Sequence, residues 1–118
     1  MLRYDQLLAG ASWVGEYGSP NIPEQRAFLE QITPYQNLRA REDFPTVFIY
    51  TSTKDDRVHP GHARKYGARL DELGIPYLYY ENTDGGHAAG ANLLHTARRI
   101  ALEYTYLSRR LMDTPAQD

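Results

Sequence analysis

The chain has 118 residues, 42% of them hydrophobic and 24% charged, which fits one globular domain or a piece of one. A formal net charge of −2 with both signs interspersed gives no electrostatic reason to expect nucleic acid or an anionic membrane surface as a partner. The absence of cysteine excludes disulfides and thiol chemistry while leaving the compartment open, with the cytoplasm the weak default.

No apolar run approaches the roughly 18 residues of a membrane helix, and the opening MLRYDQLLAG is too short and too polar for a signal peptide. Residues 1 to 22 read as irregular, broken by Gly10, Gly15, Gly18 and Pro20. Pro23 suits the first position of a helix, and PEQRAFLEQI then gives a short amphipathic stretch with Phe28, Leu29 and Ile32 facing inward. Thr33-Pro34 ends it, because the residue before a proline avoids helical geometry. TPYQNLRAREDFP is expected to connect, with room for one helical turn.

Thr46 to Thr51 is the first firm strand. Its apolar run Val47-Phe48-Ile49-Tyr50 lacks alternation, which suits a parallel strand covered on both faces. A loop, residues 52 to 59, follows it within the stretch TSTKDDRVHP. Pro60 opens a helix to about Leu73, with Ala63, Tyr66, Leu70 and Leu73 on one face and Gly74 as the stop. Tyr77 to Glu81 is the second strand. Thr83 to Gly90 is a glycine-rich loop holding His87. A long helix is expected from Ala91 to about Met112, with Leu93, Ala97, Ile100, Tyr104, Leu107 and Leu111 sharing a face. Residues 113 to 118 are expected to fray.

Strand, acidic loop, helix, strand, histidine loop and helix in that order imply an α/β fold: parallel strands joined by a right-handed crossover. Two strands are too few for an independent sheet. In such sheets, sites form beyond the carboxyl ends of the strands. Asp55 follows the first strand and His87 the second, so both are expected at one rim, in the order of the last two members of a Ser…Asp…His triad. The chemistry needs this pair: a buried carboxylate fixes the imidazole tautomer, and the other ring nitrogen takes a proton from a nucleophile.

Taken alone, Asp55 reads as a capping acid and His87 as a turn histidine; their ordered pairing favours the catalytic reading. Asp56 reads as structural, turning the loop and capping backbone donors. His59 and His62 lack a third ligand and read as solvent-facing, not metal-binding; His95 reads as a helix histidine. No glycine-rich loop of phosphate-binding type follows a strand. The chain holds no G-x-S-x-G: Gly10-Ala11-Ser12-Trp13-Val14-Gly15 puts its glycine one position late and has no strand before it.

Asp55-Asp56-Arg57-Val58 with Pro60, then Gly86-His87 with Gly90, together with Trp13-Val14-Gly15-Glu16-Tyr17-Gly18, resemble the C-terminal end of the catalytic domain of the prolyl oligopeptidase family. The resemblance keeps order and spacing over nearly the whole chain. It implies an α/β-hydrolase fold, incomplete here, with residues 1–118 forming the C-terminal portion of a peptidase catalytic domain that starts after the sixth strand of the sheet. It implies Asp55 and His87 as triad acid and base, Arg57 as the ligand of a substrate carbonyl, Trp13 stacking on a proline ring and Tyr17 lining the pocket. The substrate would be a peptide, and no cofactor is required.

The nucleophile, the oxyanion donors and the propeller of that family have no counterpart in these 118 residues. The chain alone is therefore expected to be inactive, with the missing part of the catalytic domain and the propeller as its partners. Two other readings stay open. One is an esterase or acyl-peptide hydrolase on the same scaffold. The other is a non-catalytic assembly piece that self-associates through exposed sheet edges.

Overall fold

The computed structural model describes residues 1–87 and 93–113. Gly90 and the terminal residues 114–118 lie outside them. The central unit is a parallel pair, β1 (Val47–Ser52) and β2 (Tyr77–Asn82), in register from Val47 beside Tyr77 to Ser52 beside Asn82. Helix α4 (Gly61–Glu72) makes the crossover between them, as the order of elements requires. Before this unit come three short helices, α1 (Val14–Tyr17), α2 (Pro23–Ile32) and α3 (Pro34–Asn37), and after it the long α5 (Leu93–Leu111).

Successive strand residues point to opposite faces, and the two faces of this sheet take different helices. Val47, Ile49 and Tyr77 pack with Leu70, Ile75 and Leu38 on the α4 side. Phe48 points the other way and meets Tyr106 of α5, ring centroids 5.7 Å apart, while the Tyr106 hydroxyl donates to the Thr46 carbonyl at 2.7 Å. Tyr50 and Tyr80 stack across the strands at 5.7 Å.

Helix α4 ends as its sequence requires. Gly74 has φ +66°, a conformation that costs glycine nothing. Its N–H bonds to Asp71 O, and Ile75 N–H reaches back to Leu70 O at 3.0 Å. That turn drops Ile75 onto Leu70, and both are buried in the same cluster. Leu70 has no solvent exposure. Leu70→Ala should lower the unfolding free energy by about 3 kcal/mol, within the range for emptied core leucine sites, with chemical denaturation as the measurement.

Several expectations change. Residues 4–13 are not irregular: Tyr4–Gln6 and Leu8–Trp13 form 3₁₀ turns that run into α1. Gly10 makes this possible, since a Cβ there would lie 1.8 Å from the Tyr4 carbonyl oxygen. In α2 only Leu29 is buried; Phe28 and Ile32 are 55% and 49% exposed. The strands are covered only in part, with Leu78 and Tyr79 exposed on β2. The apolar residues of α5 share a face, as the period predicts, but Leu93, Tyr104 and Leu111 on it remain largely exposed. One physical reason covers the exposed apolar residues: two strands and one crossover do not supply enough surface to cover both sides of the sheet or the outer helices. No helix among the described residues is long and apolar enough to cross a membrane.

Candidate active site

Both strands end at the same rim because they run parallel, so the loops that leave them meet there. The main chain continues the pairing one step beyond the sheet, with Thr53 N–H donating to Asn82 O at 2.8 Å. Asp55 follows directly. One of its oxygens, Oδ1, accepts the N–H groups of Arg57 at 2.9 Å and Val58 at 2.8 Å, which closes the loop into a tight turn. The other, Oδ2, lies 2.8 Å from His87 Nδ1.

The side chain of Asp55 is only 8% exposed, whereas that of His87 is 39% exposed. Burial alone would push the Asp55 carboxyl up; the hydrogen bonds from His87, Arg57 and Val58, with electrostatic attraction to His87, outweigh it and hold the carboxyl below its usual range. An ionised carboxylate can only accept, so the short contact places the proton on Nδ1 and leaves Nε2 with its lone pair. An imidazole held by a carboxylate on one nitrogen and partly exposed can take up a proton on the other.

A second polar cluster braces the same rim. Glu81, the penultimate residue of β2, accepts from Thr53 Oγ1 at 2.6 Å, from Tyr79 OH at 2.7 Å and from Arg64 Nε of α4 at 3.1 Å. Arg64, Thr53 and Tyr79 hold its carboxyl down at about 2, and burial with the Glu81 charge lifts Tyr79 to about 12. The cluster ties the acidic loop, β2 and α4 together two residues before Asp55.

The other candidate residues are placed as follows. Arg57 is exposed, and its carbonyl accepts Ala9 N–H at 3.2 Å, which fastens the N-terminal segment to the acidic loop. That segment carries Trp13, half-buried, and Tyr17, whose ring meets Tyr4 edge-on at 6.2 Å. The bond sets the segment beside the loop without itself putting either ring on the Asp55–His87 pair. Ser12 donates to Ala9 O at 2.6 Å. His59 and His62 are exposed, with His59 Nδ1 accepting Gly61 N–H. His95 is half-buried and its Nδ1 lies 3.3 Å from Asn82 Oδ1 at the end of β2.

Ser52 escapes a reading of the sequence, and Asp56, read there as a cap for backbone donors, finds a donor more distant than that reading names. Ser52 ends β1, is buried, and directs its hydroxyl at the carbonyls of Asn82, at 3.2 Å, and Gly85. Asp56 accepts the N–H of His87 itself at 3.4 Å, across the rim. A serine at a strand end and the second acid of a pair carry no signal of partners so distant in the chain.

Parallel strands flanked by helices, with an acid and a histidine on consecutive strand-end loops, are the arrangement of the α/β-hydrolases, the class to which this fold belongs. Within that class, a structure from an analysis of two prolyl endopeptidases superposes with a TM-score of 0.79 at 30% identity, covering 92% of this chain and 16% of that one. Prolyl oligopeptidase B of Galerina marginata, bound to a 35mer hydrolysis and macrocyclization substrate, gives 0.75 at 26% identity, covering 92% of this chain and 16% of that one. The chain belongs to the prolyl oligopeptidase family of serine peptidases, whose model matches residues 1–114. Among relatives, an uncharacterized peptidase of Sinorhizobium fredii is 54% identical over 113 residues, 96% of this chain and 16% of the relative. The prolyl endopeptidase of Elizabethkingia miricola is 37% identical over 94 residues, 76% of this chain and 13% of that enzyme. The chain thus spans about a sixth or less of the length of these relatives.

Proposed function

We propose that this chain supplies the acid and base of a Ser–Asp–His triad, and part of the substrate pocket, to a prolyl-oligopeptidase-type serine peptidase. The observation that carries the reading is the 2.8 Å contact between Asp55 Oδ2 and His87 Nδ1 at the rim where the two parallel strands end. A serine supplied by the preceding part of the catalytic domain attacks a peptide carbonyl, and His87 Nε2 takes its proton. Asp55 holds the imidazole in that tautomer and stabilises the imidazolium. His87 then returns the proton to the leaving amine. Arg57 binds a substrate carbonyl, Trp13 stacks on a proline ring of the substrate, and Tyr17 lines the pocket.

In this reading residues 1–118 are the C-terminal portion of the catalytic domain. The partly uncovered sheet and the exposed apolar residues of α5, Leu93, Tyr104 and Leu111, support docking onto the rest of that domain. The 118-residue chain alone is inactive, because its sequence has no G-x-S-x-G to present a nucleophile to His87.

The test compares the isolated chain with the same chain fused behind the corresponding preceding region of the Sinorhizobium fredii relative. Proline-containing chromogenic peptides are the substrates. The fused protein should show a burst and turnover, and the isolated chain neither. Burst kinetics from the isolated chain would falsify the reading. Turnover confined to simple esters or to N-acylated peptides would replace it with the esterase or acyl-peptide hydrolase reading.

A further inference from the structure

We propose that Ser52 and Asp56 are positioning residues for the His87 loop, gripping its main chain while Asp55 grips its ring. The inference rests on the reading of His87 as the base. Two glycines, Gly85 and Gly86, precede His87. Such a stretch loses more conformational freedom on ordering than any other, so a single bond to the imidazole leaves the loop poorly fixed. A general base works only when its supporting groups hold it within a fraction of an ångström.

The structure supplies two main-chain anchors. Ser52 is 3% exposed, and its hydroxyl lies between the carbonyls of Asn82 and Gly85, tying the end of β1 to the chain that leaves β2. A buried carbonyl left without a donor is costly, so this contact holds Gly85 down. Asp56 Oδ1 accepts the His87 N–H at 3.4 Å, and a Cβ built on Gly86 would lie 3.5 Å from the same oxygen, so the loop rests against that carboxylate. The two adjacent acids therefore divide the work: Asp55 faces the ring and Asp56 the backbone.

The experiment reads the His87 Nδ1–H proton resonance in the 118-residue chain by NMR, identified by its absence in His87→Gln. It also reads kcat and KM in the fused peptidase. Ser52→Ala and Asp56→Ala should each broaden or lose the resonance, and lower kcat roughly ten- to a hundredfold with KM unchanged. Asp56→Asn, which keeps an oxygen acceptor, should retain both. An unchanged resonance and kcat in Asp56→Ala, or equal losses in Asp56→Asn and Asp56→Ala, overturns the proposal. Should Ser52→Ala fail to unfold cooperatively, the Asp56 pair decides alone, since that residue is exposed and its replacement leaves the core intact. A resonance lost in a protein whose activity never depends on His87 would sink the peptidase reading and leave this one standing. A resonance unmoved in a protein that His87→Gln inactivates would do the reverse.

Discussion

In the fused peptidase, His87→Ala should lower kcat by about six orders of magnitude, the scale on which a triad base acts, with little change in KM. The expectation follows from where the proton sits. Asp55 is ionised and only accepts, so Nδ1 carries the hydrogen and Nε2 is left as the base. In the proposed triad, alanine removes the acceptor for the serine proton; Asp55 keeps Oδ1 on two main-chain donors, and only Oδ2, released by the ring, is vacated. In that triad the imidazole stands between Asp55 and the serine, so a carboxylate left on the turn by its two main-chain donors does not take over that proton transfer. The His87 side chain is itself 39% exposed, so its loss should leave the fold intact. Single-turnover kinetics beside a thermal unfolding curve separates chemistry from stability. A kcat within tenfold of the parent would remove His87 from the reaction.

The strand–helix–strand unit and its rim are legible from residue order because local chemistry dictates them. Val47 to Tyr50 is a short β-branched and aromatic run that suits a strand, Gly74 stops the helix by its positive φ, and parallel connection forces both loops to one side. The pairing of Asp55 with His87 follows from that topology. What is not legible depends on surfaces met far along the chain. The 3₁₀ turns around Gly10 exist because its missing Cβ lets the Tyr4 carbonyl approach. The period of α5 states which residues share a face, but not that Leu93 and Leu111 stay uncovered. Ser52 falls in the expected loop, and neither its place at the end of β1 nor its partner 33 positions later is marked by its own surroundings. Phe28 and Ile32 match the helical period as well as Leu29 does, yet only Leu29 finds a neighbour to bury it.

Asp55→Asn should cost about four orders of magnitude in kcat, the scale of a tautomer inverted rather than a base deleted. The direction of the inversion is fixed by the main chain. Arg57 N–H and Val58 N–H both point at Oδ1 and demand an acceptor there, so the asparagine oxygen must keep that place. Its NH₂ group is then turned toward His87 and presents a donor where Nδ1–H was donating. The ring answers by moving its proton to Nε2, which leaves the nucleophile facing an N–H instead of a lone pair. KM should change little, since no substrate contact is touched. The same variant reports on acid stability. The Asp55 carboxyl is held below its usual value of 3.8 because its hydrogen bonds outweigh burial, so the folded state binds this proton less readily than the unfolded chain. Its contribution is fully present above the unfolded value and fades as the pH falls through the lower folded one. The parent should therefore exceed Asp55→Asn in unfolding free energy by about 1–3 kcal/mol at neutral pH, with the gap narrowing below the usual carboxylate range. Denaturation midpoints measured at neutral pH and below the usual carboxylate range test this, and a gap that does not narrow in that acid range would mean that Asp55 is not the carboxylate these donors stabilise.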